Sequence, residues 1–143
     1  MNVSAILKAK GSSVVSVPPD TSIADVVRLL AERRIGAVIV SADGLHAQGI
    51  LSERDIVGSF AVRGSATLDK KASELMTARV TTCAPLDELS NLMSVMTTKR
   101  IRHLPVVENG TVCGIISIGD VVKWRVEEIE READALRAYV AQA

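Results

Sequence analysis

Gly49-Ile50-Leu51-Ser52-Glu53-Arg54-Asp55 returns 65 residues later as Gly114-Ile115-Ile116-Ser117-Ile118-Gly119-Asp120. Each copy sets a glycine before a short apolar run, then a serine, then an aspartate three places on. The apolar run reads as a strand, and Ser-x-x-Asp behind it reads as the start of a helix. The repeated unit is therefore a strand-to-helix junction, and the chain is a duplication. Duplicated half-domains tend to pack on each other, and the seam between them is a natural ligand cleft.

Working outward, the copies stay aligned at a shift of 66 residues. Val14–Pro19 meets Val80–Pro85, each a β-branched strand stopped by proline. An amphipathic helix follows, with Ile23, Val26, Val27 and Leu30 at helical spacing in the first half and Leu89, Leu92, Met93 and Met96 in the second. Ser22 is a candidate N-cap. The basic pairs Arg33-Arg34 and Lys99-Arg100 suit the negative poles of the two helix dipoles. Apolar strands come next, Ala37–Val40 and Leu104–Val107. Asp43-Gly44 and Asn109-Gly110 predict tight hairpins into return strands Gln48–Leu51 and Val112–Ile116. Even the lead-ins are alike, Val3-Ser-Ala-Ile-Leu7 and Ala72-Ser-Glu-Leu-Met76. The expected fold class is α+β: two pseudo-symmetric β-α-β-β-α halves packed sheet to sheet, with a long C-terminal helix. The divisions are a first repeat over 1–63, a linker over 64–71, a second repeat over 72–123 and a helical extension over 124–143.

Composition removes several function classes. Hydrophobic residues make up 48% of the 143, enough for a sizeable core. Lys+Arg and Asp+Glu both number 17, and no basic stripe stands out, so no nucleic-acid partner is expected. Phe60, Trp124 and Tyr139 are the only aromatics, too few for a base-stacking platform. No apolar run reaches membrane-spanning length, and the N-terminus lacks the order of a signal peptide. Cys83 and Cys113 lack metal-ligand spacing and read as small buried hydrophobes. Reduced thiols without an export signal give a cytoplasmic expectation.

The repeated junction has two readings. Ser52 and Ser117 can cap the following helix, with Asp55 and Asp120 reaching back to complete a capping box. The same geometry can hold a ligand. Free amides at a helix start attract phosphate, a carboxylate can accept both hydroxyls of a ribose, and Gly49 and Gly114 let another group approach the backbone.

The ordered, duplicated set over Val3 to Lys123 resembles a tandem pair of cystathionine-β-synthase (CBS) domains, a Bateman module. Ser52-Glu-Arg-Asp55 and Ile101-Arg-His-Leu-Pro-Val106 are especially similar to that family. The resemblance implies a flat module with two clefts, often stacked as a disc-shaped homodimer. It also implies a regulatory adenine nucleotide rather than a catalytic cofactor: AMP first, with ADP, ATP or NAD(H) as alternatives, and S-adenosylmethionine in some members. On that basis Asp55 and Asp120 bind ribose hydroxyls, and Ser52 and Ser117 lie near phosphate or ribose. Ile50 and Ile115 line the clefts. The backbone around Gly36-Ala37-Val38 and Leu104-Pro105 faces the base.

The halves are not equal. Arg54 sits inside the first motif where the second has Gly119, and Arg102-His103 precede the second strand where the first has Gly36-Ala37. We expect Arg54, Arg102 and His103 to converge on phosphate through charge-assisted bonds. Solvated arginines and a structural histidine are the plainer alternative. After Asp120, Val122, Val126, Ile129, Ala133, Leu136 and Val140 form a heptad seam, which points to a second copy of the chain. No catalytic or metal-binding set is recognisable, because His46 and His103 are the only histidines and neither lies in a motif. The expectation is a stand-alone sensor, not an enzyme, acting on an unknown regulated protein. A scaffolding dimer without ligand and a cryptic nucleotide-processing enzyme are the alternatives.

Overall fold

The computed structural model describes residues 1–142. In the first half, β1 (Ser16–Val17) pairs in parallel with β2 (Ala37–Val40), which pairs antiparallel with β3 (Gly49–Ser52). Helix α2 (Ile23–Arg33) lies between β1 and β2, and α3 (Glu53–Arg63) follows β3. The second half repeats this with α5 (Leu89–Lys99), the hairpin β4 (His103–Glu108) and β5 (Thr111–Ser117), and α6 (Ile118–Gln142). The α+β expectation therefore holds.

Two local expectations need correction. Val80–Pro85 does not form a paired strand. It keeps one parallel bridge, Cys83 to Val106, beside a register shift in β4–β5 at Val106/Val107. Asn109-Gly110 makes the tight turn, with both residues at positive φ (53° and 78°) as a primed hairpin turn requires. Asp43-Gly44 does not: β2 ends at Val40 and β3 begins at Gly49, so a wider loop joins them. There the Asp43 carboxylate gathers the amides of Leu45 and His46, each at 2.8 Å, and the Ser41 hydroxyl at 2.9 Å. The His46 amide, its ring nitrogen and these other donors hold the Asp43 pKa far below the usual carboxylate range. The side chain is spent on closing its own loop, an Asx-type turn.

The lead-in helices are exchanged between the halves. α1 (Val3–Lys10) puts Val3 and Ile6 into the core made by Leu89, Leu92, Met96, Leu104 and Ile116 of the second half. α4 (Ala72–Leu75) puts Ala72 into the core of the first half, with Val26, Val38 and Leu51. Residues Gly64–Asp69 form a 3₁₀ turn that delivers the chain to α4, anchored by the buried Ser59–Thr67 hydroxyl pair at 2.8 Å. Each core is thus closed by a segment from the other repeat, which fixes the two repeats together.

This exchange explains the two motif glycines. A Cβ on Gly114 would lie 2.7 Å from Leu7 Cδ2, and one on Gly49 would lie 2.7 Å from Met76 Cγ and 3.0 Å from its Cβ. Leu7 and Met76 are the matched last residues of the two lead-in motifs. The group that approaches the glycine backbone is thus the exchanged lead-in, not a ligand.

Candidate functional site

Both serine–aspartate junctions are capping boxes. Ser52 N donates to Asp55 Oδ2 at 2.9 Å, and the Asp55 amide returns to Ser52 Oγ at 3.4 Å. Ser117 and Asp120 do the same at 2.9 and 3.2 Å. The first helical amides are also occupied, Glu53 N by Gly36 O at 2.9 Å and Ile118 N by Arg102 O at 2.8 Å. A phosphate therefore finds few free amides at these helix starts, and its charge has to be met by side chains. Asp55 uses only Oδ2 for the cap; Oδ1 accepts no hydrogen bond among the described residues.

Two clefts flank the seam, each taking its Ser motif from one half and its other wall from the other half. Cleft 1, about 510 Å³, is lined by Ile50, Ser52, Arg54 and Asp55 from the first half. Across from them stand Thr77, Arg79, Thr81 and the run Arg100–His103. Cleft 2, about 450 Å³, is lined by Ile115 and Ser117 on one side and by Lys10, Ser13, Arg34 and Ala37 on the other. Both volumes suit a small molecule of nucleotide size. Gly36 and His103 line both clefts and form their common wall. The imidazole packs so closely that a Cβ on Gly36 would lie 3.1 Å from His103 Cε1. Burial lowers the His103 pKa, with Lys10 and Arg102 adding to the shift and Glu53 and Asp120 opposing it, so the wall carries a neutral ring at pH 7.

Arg54, Arg102 and His103 meet in cleft 1, together with Arg79 and Arg100. Arg54 Nη1 also donates to the Arg100 carbonyl at 3.1 Å, tying α3 to the end of α5 across the seam. Val38 and Leu104 are buried in the two cores and line neither cleft, and Pro105 is buried beside Leu104.

Sequence reading missed Arg79, Arg100, Lys10 and Arg34. Arg34 and Arg100 were visible only as dipole partners. The structure gives them a second property: both end their helices in the left-handed region, at φ 54° and 53°. Glycine usually fills that position, and a side chain there is strained by roughly 1–2 kcal/mol. The two arginines hold this conformation at matched places, and each lines a cleft.

The CBS domain family model matches residues 7–61 and 72–127. A CBS-domain containing protein from Agrobacterium tumefaciens superposes with a TM-score of 0.84 at 46% identity, over 87% of this chain and 99% of that one. A CBS domain protein from Pyrobaculum aerophilum, solved in complex with AMP, gives 0.74 at 29% identity, over 84% and 89%. A mitochondrial CBS domain-containing protein from Arabidopsis thaliana is 32% identical over 96% of this chain and 71% of its own length. With the duplicated junctions, the exchanged lead-ins and the paired clefts already in view, these likenesses identify the chain as a member of the CBS domain family carrying two CBS domains in tandem.

Proposed function

We propose that the chain is a regulatory sensor module that binds an adenine nucleotide in cleft 1, AMP first, with ADP, ATP or NAD(H) as the wider class. The observation that carries the reading is that Asp55, with Oδ1 outside the cap, lines a cleft that also presents Arg54, Arg79, Arg100 and Arg102. A carboxylate with an open acceptor suits a ribose diol, and clustered guanidiniums suit phosphate. The P. aerophilum relative solved with AMP supports this ligand class. Aromatic stacking has no part in it, so the base rests on aliphatic side chains and backbone, with Ile50 and Ile101 at hand. The role is binding rather than catalysis: both Ser hydroxyls are engaged in caps. Free Cys83 and Cys113, the first with its thiol pushed up to about 12 by burial, suit a reducing cytoplasm. A regulated protein partner completes the proposal.

Calorimetric titration with AMP tests the reading. The wild type gives a saturable isotherm, and Asp55→Asn weakens it at least about tenfold, the scale of one lost hydrogen bond to a charged group. No binding of AMP, ATP or NAD by the wild type sinks the reading. It would leave a ligand-free scaffold, for which the capping boxes already account for Ser and Asp.

That module is proposed to be a homodimer through α6. Of the seam residues, Val122, Val126 and Ile129 are about half exposed and Leu136 and Val140 are 63% exposed. Val121 is the one buried residue of the helix, so most of the apolar seam covers nothing in its own chain. Val57, the match of Val122 on α3, is exposed as well. Sedimentation of a chain cut after Lys123 checks this. Loss of the dimer is expected, and a truncated chain as dimeric as the full one removes α6 from the interface.

A further inference from the structure

The two clefts are assembled from matching parts, yet they end differently at their aspartates. α1 runs a full turn longer than α4, from Val3 to Lys10 against Ala72 to Leu75. The added turn carries Lys10 to the second junction. Lys10 Nζ donates to Asp120 Oδ2 at 2.7 Å and to the Ile115 carbonyl at 3.0 Å. Asp120 Oδ2 also accepts from Ser117 N at 2.9 Å. As a result Lys10 lines cleft 2 and Asp120 does not.

Nothing equivalent happens in cleft 1. There the chain leaves α4 early, and Thr77 forms two backbone bonds with Ile50, at 3.1 and 2.9 Å. Among the described residues no ammonium bonds Asp55, which lines its cleft directly. Asp120 Oδ1, like Asp55 Oδ1, accepts no hydrogen bond among the described residues, so the clefts differ not in a free acceptor but in the Lys10 ammonium, which holds Oδ2 in a charge-assisted bond and lines the cleft where Asp120 does not. The pKa of Asp120 follows the same contacts. Burial would raise it, but the Lys10 bond and the Ser117 amide outweigh burial and hold it below the ordinary value.

We propose that Lys10 is an internal latch that withholds Asp120 from ligand, so that each chain takes one nucleotide, in cleft 1, and cleft 2 accepts a ribose only once Lys10 is removed. The inference rests on the nucleotide reading above, and its test separates the two. The number of AMP molecules bound per chain is counted by calorimetry for the wild type, Lys10→Met and Lys10→Arg, with melting curves to confirm folding. Values of one, two and one are expected, because arginine keeps the cation beside Asp120. Adding Asp55→Asn to Lys10→Met should weaken one of the two sites at least about tenfold and leave the other unchanged, which places the gained site in cleft 2. Two AMP per wild-type chain, or one per Lys10→Met chain, overturns the latch. If the wild type binds none, the reading of cleft 1 fails, and Lys10→Met still decides the latch: one AMP gained sustains it and none overturns it.

Discussion

Cleft 1 and cleft 2 are the same junction folded twice, and they differ at one position inside the junction, Arg54 against Gly119, and at several positions outside it. Both have Ser-x-x-Asp in a capping box, a glycine under an exchanged lead-in, and an arginine at positive φ opposite. Cleft 1 adds Arg54, Arg79 and Arg102 and leaves Asp55 open. Cleft 2 has Gly119 and Gly36 at the places of Arg54 and Arg102, and its Asp120 is held by Lys10. The motif alone therefore does not decide whether a cleft takes a ligand. Arg79 and Arg102 reach cleft 1 from the other half, as Lys10 reaches cleft 2, and Arg54 is the one deciding group that lies within the motif.

The comparison can be strained first at the glycines. Gly49→Ala should be the costlier change, lowering stability by about 2–3 kcal/mol, within the range for an overpacked core. The new methyl meets Met76 Cβ, which cannot swing away without moving its backbone. Gly114→Ala meets chiefly the ends of Leu7, with Cδ1 at 3.0 Å and Cγ at 3.4 Å, and should cost about half as much. Urea melts check the order, and equal losses would show that the lead-ins are not packed as described.

A smaller effect of opposite sign belongs to the helix ends. Arg34→Gly and Arg100→Gly should each stabilise the fold by about 1 kcal/mol, because glycine relieves the left-handed backbone. For a chain of this size that raises the melting temperature by about 3 °C. Loss of stability in either variant would mean that the arginine side chain holds the fold.

Much of this was legible in the sequence, and what was not has a physical cause. The elements follow from periodicity and turn residues, which act locally: Asn109-Gly110 makes its hairpin because both residues accept positive φ. Asp43-Gly44 carries the same turn signal, but the Asp43 carboxylate binds Ser41, Leu45 and His46 and shapes a wider loop. No local rule weighs that competition. In the site, Ser52, Asp55, Arg54 and Arg102 stood out because the repeat made them comparable. The exchange of α1 and α4 did not stand out, since both lead-ins are short apolar helices that fit either core. Lys10 was invisible for the same reason. One lysine at a helix end suits the dipole, and only the three-dimensional exchange brings it to a residue 110 positions away.

The same pair of arginines gives the most direct test of the central claim that cleft 1, and not cleft 2, takes the nucleotide. Arg34 and Arg100 occupy equivalent places, share a backbone conformation and face different clefts. AMP affinity is to be measured by calorimetry for Arg34→Gly and Arg100→Gly side by side. The account predicts a loss of about tenfold or more for Arg100→Gly, the cost of one charge-assisted phosphate contact, and wild-type affinity for Arg34→Gly. An equal loss in both, or a loss in Arg34→Gly alone, would contradict it.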